Sequence, residues 1–216
     1  MNDETRAASR KLTDQMRRII NRLVVVRPDA AELLAAADAL SEFGDRLDTL
    51  PSRTKVDEIN EAGLNPRDFV ERSPLSGPSN ALAPPMVLKI VGEPGSQHVE
   101  GRVTFGQAYE GPPGSVHGGY VAAMFDEMLG YAQLKPGYTA SLTINYKLRT
   151  PLETELSLNA WVDREDGRKR YVKGECWAEG NLVSTADGLF IAPRPDDPHH
   201  KTGMSTPENW GKGPKP

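Results

Sequence analysis

Between residues 4 and 25 the apolar positions are Leu12, Met16, Ile19, Ile20, Leu23 and Val24, the three-and-four spacing of one helix face, with Arg17, Arg18 and Arg22 between them. The spacing predicts an amphipathic helix whose basic stripe is a solvated face rather than a membrane-binding one. A second helix is expected from Pro28-Asp29, where proline suits a first turn, through Ala31, Leu33, Leu34, Ala37, Leu40 and Phe43 until Gly44 weakens it. Together they predict a helical hairpin over residues 1–50. From 51 to 84 the chain turns to Pro, Ser, Asn, Gly and charge, including Asn65-Pro66, Ser73-Pro74, Gly77-Pro78 and Pro84-Pro85, the composition of a linker or strap.

Strand-like runs follow at 86–92 and 98–105, and four more near 139–149, 154–163, 169–179 and 182–192. Alternation is clearest in Ser141-Leu142-Thr143-Ile144-Asn145-Tyr146, which would turn Leu142, Ile144 and Tyr146 to one side. Glu165-Asp166-Gly167 and Glu179-Gly180-Asn181 supply hairpin turns. Between the second and third runs, Gly119 to Ala132 is apolar almost throughout, so this helix must be enclosed on most sides. Residues 85–193 are thus expected to form an α+β unit, an antiparallel sheet with one long helix against it, followed by a proline-rich polar tail at 194–216. His199 and His200 lie in that tail and read as solvated side chains rather than metal ligands.

A net charge of -4 with a pI near 5.6 provides no basic field, which excludes nucleic acid as the main partner. Cys176 is the single cysteine, so no intrachain disulfide forms, and as part of a strand pattern it reads as a core residue rather than a nucleophile. The N-terminus lacks the apolar run of a signal peptide, and no stretch is apolar enough to span a bilayer. A cytoplasmic protein without stable membrane insertion is the expectation. No histidine or cysteine spacing suggests a metal.

Chemistry concentrates where the apolar helix begins, at Val116-His117-Gly118-Gly119. Glycines there let a ligand approach backbone N–H groups that a first helical turn leaves unpaired and partly positive, as in an oxyanion hole. Asp126 lies two turns on, sharing a face with Gly119, Ala122, Leu129 and Gly130, whereas Glu127 is turned about 100° away. An acid in such a helix is costly to bury and is retained for use. Seven residues at about 1.5 Å put Gly119 roughly 10 Å from Asp126, too far to share one carbonyl. If the two act together, a second, antiparallel copy of the helix must bring Asp126 of one chain to the glycines of the other, which predicts a two-fold dimer with two composite sites.

Val116-His117-Gly118-Gly119, a carboxylate nine residues after the histidine, Thr139-Ala140-Ser141-Leu142 through Lys147, and Gly167-Arg168-Lys169 together resemble the hotdog-fold acyl-CoA thioesterases, most of all the PaaI-like and THEM4/THEM5-like group, over roughly residues 85–192. The resemblance implies a sheet wrapped around a central helix. It further implies that Gly118 supplies the oxyanion-hole N–H, that His117 shapes the turn, that Asp126 is general base or nucleophile, and that Thr139 orients the water or the carboxylate. Gly119 and Asn145 would contact substrate, and Lys147, Arg149, Arg168 and Lys169 would hold coenzyme A phosphates. On this basis the chain is expected to hydrolyse an acyl-CoA, of medium or long fatty chain, with no cofactor beyond the coenzyme A of the substrate. It would act as a homodimer with sites at the interface, and pairing into a dimer of dimers stays open. The alternatives are a non-catalytic acyl-CoA-binding sensor and a hotdog dehydratase or hydratase.

Overall fold

The structure is a computed structural model that describes residues 2–52, 54, 70–84, 86–93, 95–135 and 137–194. The middle of the expected strap and the tail with His199 and His200 lie outside the described residues.

Helix α1 (Asp3–Leu23) starts where the Asn2 side chain accepts from the Thr5 N–H at 2.8 Å, and carries Asp3 and Glu4 at its positive end. Helix α2 (Ala30–Asp48) opens with a reciprocal capping box between Asp29 and Glu32 and runs past Gly44, where the sequence suggested an end. One glycine costs a helix only about 1 kcal/mol, too little to stop it before Leu47. These are the two helices expected to form the hairpin. α1 docks through its polar side, with Arg6 and Thr13 buried, and α2 buries none of its residues.

Six strands follow: β1 (Val87–Val91), β2 (His98–Thr104), β3 (Tyr138–Tyr146), β4 (Glu155–Asp166), β5 (Lys169–Ala178) and β6 (Asn181–Ile191). They form one sheet in the order β1-β2-β4-β5-β6-β3, every neighbouring pair antiparallel. The expected turns join β4 to β5 and β5 to β6, with Gly167, Glu179 and Gly180 at positive φ. Helix α3 (Gly118–Ala132) lies between β2 and β3 in the chain and packs against the sheet, burying Val121, Met124, Phe125, Met128, Leu129 and Ala132. This is the wrapped-helix arrangement that the resemblance implies.

Close approach of α3 to the sheet depends on two glycines. A Cβ on Gly174 would lie 2.9 Å from Leu129 and Met128, and one on Gly188 2.7 Å from Phe190. Leu129 is therefore taken up by the core rather than sharing the Asp126 face. What stays open on α3 is the opposite side, with Gly119, Ala122, Ala123, Asp126 and Gly130 none of them buried.

Candidate active site

The turn that delivers α3 is held from three directions. Val116 donates its N–H to Thr150 at 2.9 Å, His117 donates to Tyr109 at 2.8 Å, and the Tyr146 hydroxyl donates to the Gly118 carbonyl at 2.8 Å. His117 is the N-cap, its Nδ1 accepting from the Gly119 N–H at 3.0 Å. An accepting Nδ1 fixes the neutral ring as the Nε2–H tautomer and leaves that proton facing outward. The Gly119 amide is thereby used up, so the two free glycine amides expected from the sequence reduce to one. Among the described residues no acceptor takes the Gly118 N–H.

Asp126 is half-buried on the open side of α3 and accepts from the Thr139 hydroxyl at 2.9 Å. Strict alternation would turn Thr139 away from Leu142 and Ile144. The register of β3 slips between Thr139 and Ser141, where Ala140 is the extra residue, so Thr139 and Leu142 both face the helix. A β-bulge thus aims the threonine at the carboxylate.

Glu127 has a different environment. Its carboxylate accepts from Ser73 at 2.6 Å and from Ser76, fastening residues 73–76 to the flank of α3. The two neighbouring acids are divided by the helical rotation, one facing the open groove and the other committed to packing.

The remaining expected residues are not assembled into one place. Asn145 falls on the outer side of β3, opposite Thr185, away from the face of Asp126. Lys147 and Arg149 follow the end of β3 nearest the α3 entrance, whereas Lys169 pairs with Ile191, which also pairs with Tyr138 at the other end of the strand. Arg168 in addition donates its Nε–H to the Ala192 carbonyl at 2.9 Å. Within one chain these four cations therefore make no single phosphate site. Tyr146, which the sequence placed only in an apolar set, is a further side chain at the helix entrance that pattern reading missed. Its hydroxyl role is visible only once β3 lies beside α3.

A cleft of about 810 Å³ opens at the far end of α3, lined by Gln97, His98, Gln133, Leu134, Trp161 and Glu165 among others, and none of its lining residues is one of the side chains above. Burial pushes the Cys176 thiol up to about 12, with the Ser184 hydroxyl opposing, so it is no nucleophile at neutral pH. Among the described residues no group of three acidic, histidine or cysteine side chains is placed to hold a metal ion, and no helix is long and apolar enough to cross a membrane.

No family model matches the sequence. The chain superposes on the crystal structure of a thioesterase superfamily protein with a TM-score of 0.73 at 33% identity, over 85% of this chain and 94% of the other. That coverage exceeds the sheet-and-helix unit and so takes in part of the N-terminal region. Among curated proteins, acyl-coenzyme A thioesterase THEM4 of Bos taurus is 37% identical over 93 residues, 42% of this chain and 39% of the relative. Acyl-coenzyme A thioesterase THEM5 of Homo sapiens is 34% identical over 93 residues, 40% of this chain and 37% of the relative. The chain thus spans about two fifths of the length of the curated relatives it matches.

Proposed function

Because this chain belongs to the thioesterase superfamily, we propose that it hydrolyses the thioester of an acyl-CoA to the free acid and coenzyme A, at a site shared between two copies of the chain. The observation that carries the proposal is the split placement of the chemistry. An unpartnered Gly118 N–H sits at one end of α3, and an Asp126–Thr139 pair sits two turns along it, both on the open side.

Strand β3 is an edge strand of nine residues, and most of them are exposed. It runs antiparallel to α3, since Tyr146 reaches Gly118 while Thr139 reaches Asp126. A two-fold axis through the middle of β3 and past Ala122 would lay Asp126 and Thr139 of one copy against Gly118 and Tyr146 of the other. The small side chains of Gly119, Ala122 and Ala123 allow the two helices to approach. The same axis would bring Arg168 and Lys169 of one chain toward the end of β3 that carries Lys147 and Arg149 in the other, gathering the cations for a phosphorylated ligand.

In the proposed reaction Asp126 takes a proton from water as the water oxygen attacks the thioester carbon. The carbonyl oxygen becomes an oxyanion that accepts from Gly118 N–H, with His117 Nε2–H beside it. Collapse of the tetrahedral adduct breaks the carbon–sulfur bond and expels coenzyme A thiolate, which takes up the proton. Water is the co-reactant and no redox cofactor enters. Glu127 plays no part, because both its serine contacts are structural. The fatty acyl preference, the cytoplasmic setting and the dimer belong to the same proposal.

The test is thiol release from acyl-CoA substrates of short, medium, long and aromatic acyl groups by the wild type and by Asp126→Asn. Turnover by the wild type, and a loss of roughly 10²–10⁴ in the variant with assembly intact, are expected. Equal turnover in the variant refutes the base assignment. Binding of every acyl-CoA without turnover would make the chain a sensor instead.

A further inference from the structure

Among the described residues, two helical rows are left largely uncovered. α1 docks through charge: Arg10 donates from Nε and Nη2 to the two oxygens of the buried Glu71, each at 2.7 Å, and Arg17 donates to the Pro78 carbonyl at 2.9 Å. Asn21, meanwhile, accepts from the Ala108 N–H at 3.0 Å. The apolar row Leu12, Met16, Ile19 and Leu23, which the amphipathic pattern marks as a burying face, is turned elsewhere, its ends Leu12 and Leu23 42% and 58% exposed and Met16 and Ile19 between them half-buried. On α2, Leu33, Leu40 and Leu47 recur every seventh residue with Ala36 and Phe43 between them, a heptad seam. Those three leucines are 45%, 43% and 44% exposed.

A 19-residue helix that buries none of its residues is marginal in water, so α2 requires a partner. The charges say which. α1 carries six basic residues against three acidic ones, and α2 five acidic against the single Arg46. Pairing α2 with another α2, or α1 with another α1, would set like charges together, whereas α1 with α2 is complementary. Within one chain α2 buries none of its residues, so its row is not covered by α1.

We propose that the N-terminal helices are exchanged between two copies of the chain, the α2 seam of Leu33, Leu40 and Leu47 lying on the α1 seam of Leu12, Met16, Ile19 and Leu23 of its partner. The occupant of each seam is thus a second copy, and the contact is reciprocal. It does not depend on the hydrolytic chemistry or on pairing through β3.

The test uses two full-length chains carrying different mass tags, one with Gln15→Cys and the other with Ala37→Cys, both exposed positions beside the seams, co-expressed and treated with a bismaleimide spanning about 10 Å, the separation of packed helices. Native Cys176 is buried and stays silent. A crosslink joining the two tags is expected, reduced at least about tenfold when Leu40→Glu is added to the Ala37→Cys chain. The exchange is overturned if crosslinking occurs only when both cysteines are on one chain. Absence of a crosslink in both arrangements overturns it too, as does a yield that ignores Leu40→Glu.

Discussion

Gly118→Pro removes one hydrogen-bond donor and little else. Gly118 is the first residue of α3, a position that suits proline, and His117 before it is already extended at φ -60° and ψ 131°, as a residue preceding proline must be. A Cβ on Gly118 would sit 3.4 Å from the Tyr146 hydroxyl, an ordinary contact. Gly118→Ala adds the same Cβ and keeps the N–H, so it controls for bulk. The two variants should match in stability to within about 1 kcal/mol, because no described group bonds to the lost donor. They should differ in turnover, since losing one oxyanion donor costs about 2.7–4 kcal/mol, or roughly 10²–10³ in kcat. Steady-state thiol release with equal concentrations of folded protein measures the difference. If Gly118→Pro turns over as fast as Gly118→Ala, this amide stabilises no oxyanion. Co-expressing Gly118→Pro with Asp126→Asn tests the shared site as well. Random pairing makes half of all dimers mixed, and each mixed dimer has one site with both groups intact, so about a quarter of wild-type activity returns. If Gly118 and Asp126 of the same chain made the site, none would.

Thr139→Val removes the hydroxyl that donates to Asp126 and should lower kcat by about tenfold with KM little changed; a change in KM alone would mean that Thr139 binds substrate instead. Glu127→Ala should cost about 1–3 kcal/mol in urea unfolding through the lost Ser73 and Ser76 contacts, while kcat stays within about threefold of wild type; a loss of activity as large as that of Asp126→Asn would reverse the roles of the two acids. The hydrogen bond from Arg10 holds the Glu71 carboxyl below the usual carboxylate range, with Ser79 and Arg6 adding to it against the cost of burial. A depressed folded value means stability that is present above the ordinary carboxylate pKa and lost as pH falls through the folded one. Protease resistance of α1 should therefore drop below about pH 4 in the wild type, whereas Glu71→Gln should be sensitive already at neutral pH and show no further drop; identical pH profiles would refute the clamp.

Strand positions, both hairpin turns and the apolar helix were readable because each is a local pattern: period two in Leu142, Ile144 and Tyr146, glycine where φ turns positive, and a helix apolar on the side that meets the sheet. The placement of Asp126 and Gly118 along α3 was readable for a related reason, since a helix converts sequence spacing into distance. What depends on tertiary pairing was not. The bulge at Ala140 rotates Thr139 onto the helix, and nothing in the alternation of β3 announces it, whereas that alternation itself sets Asn145 on the face opposite Leu142, Ile144 and Tyr146. The cations looked like one set in the sequence because they flank strands, but antiparallel strands send their ends in opposite directions. The fate of the Gly119 amide turned on a histidine ring that folds back over it, a choice between rotamers rather than between residue types. The open seams of α1 and α2 were legible as amphipathic rows. That α1 would bury its polar side instead came from Glu71, a residue 61 positions beyond Arg10.

Two features of the chain, each incomplete alone, share one remedy in the proposed two-fold dimer. An exposed nine-residue edge strand is an open template for pairing, and proteins blunt such edges or cover them. β3 has no proline, and its charged neighbours begin only at Lys147, so nothing on the strand itself repels a second copy. Separately, the Gly118 amide and Asp126, the proposed oxyanion donor and base, lie roughly 12 Å apart along one helix and cannot meet within the chain. The axis that would pair β3 with β3 also runs past Ala122, midway between Gly118 and Asp126, so covering the edge and completing the site are the same motion. Evolution could then fix Gly118 and Asp126 on a single helix without either reaching the other. The cost is that catalysis would be lost on dilution below the dimer's dissociation constant.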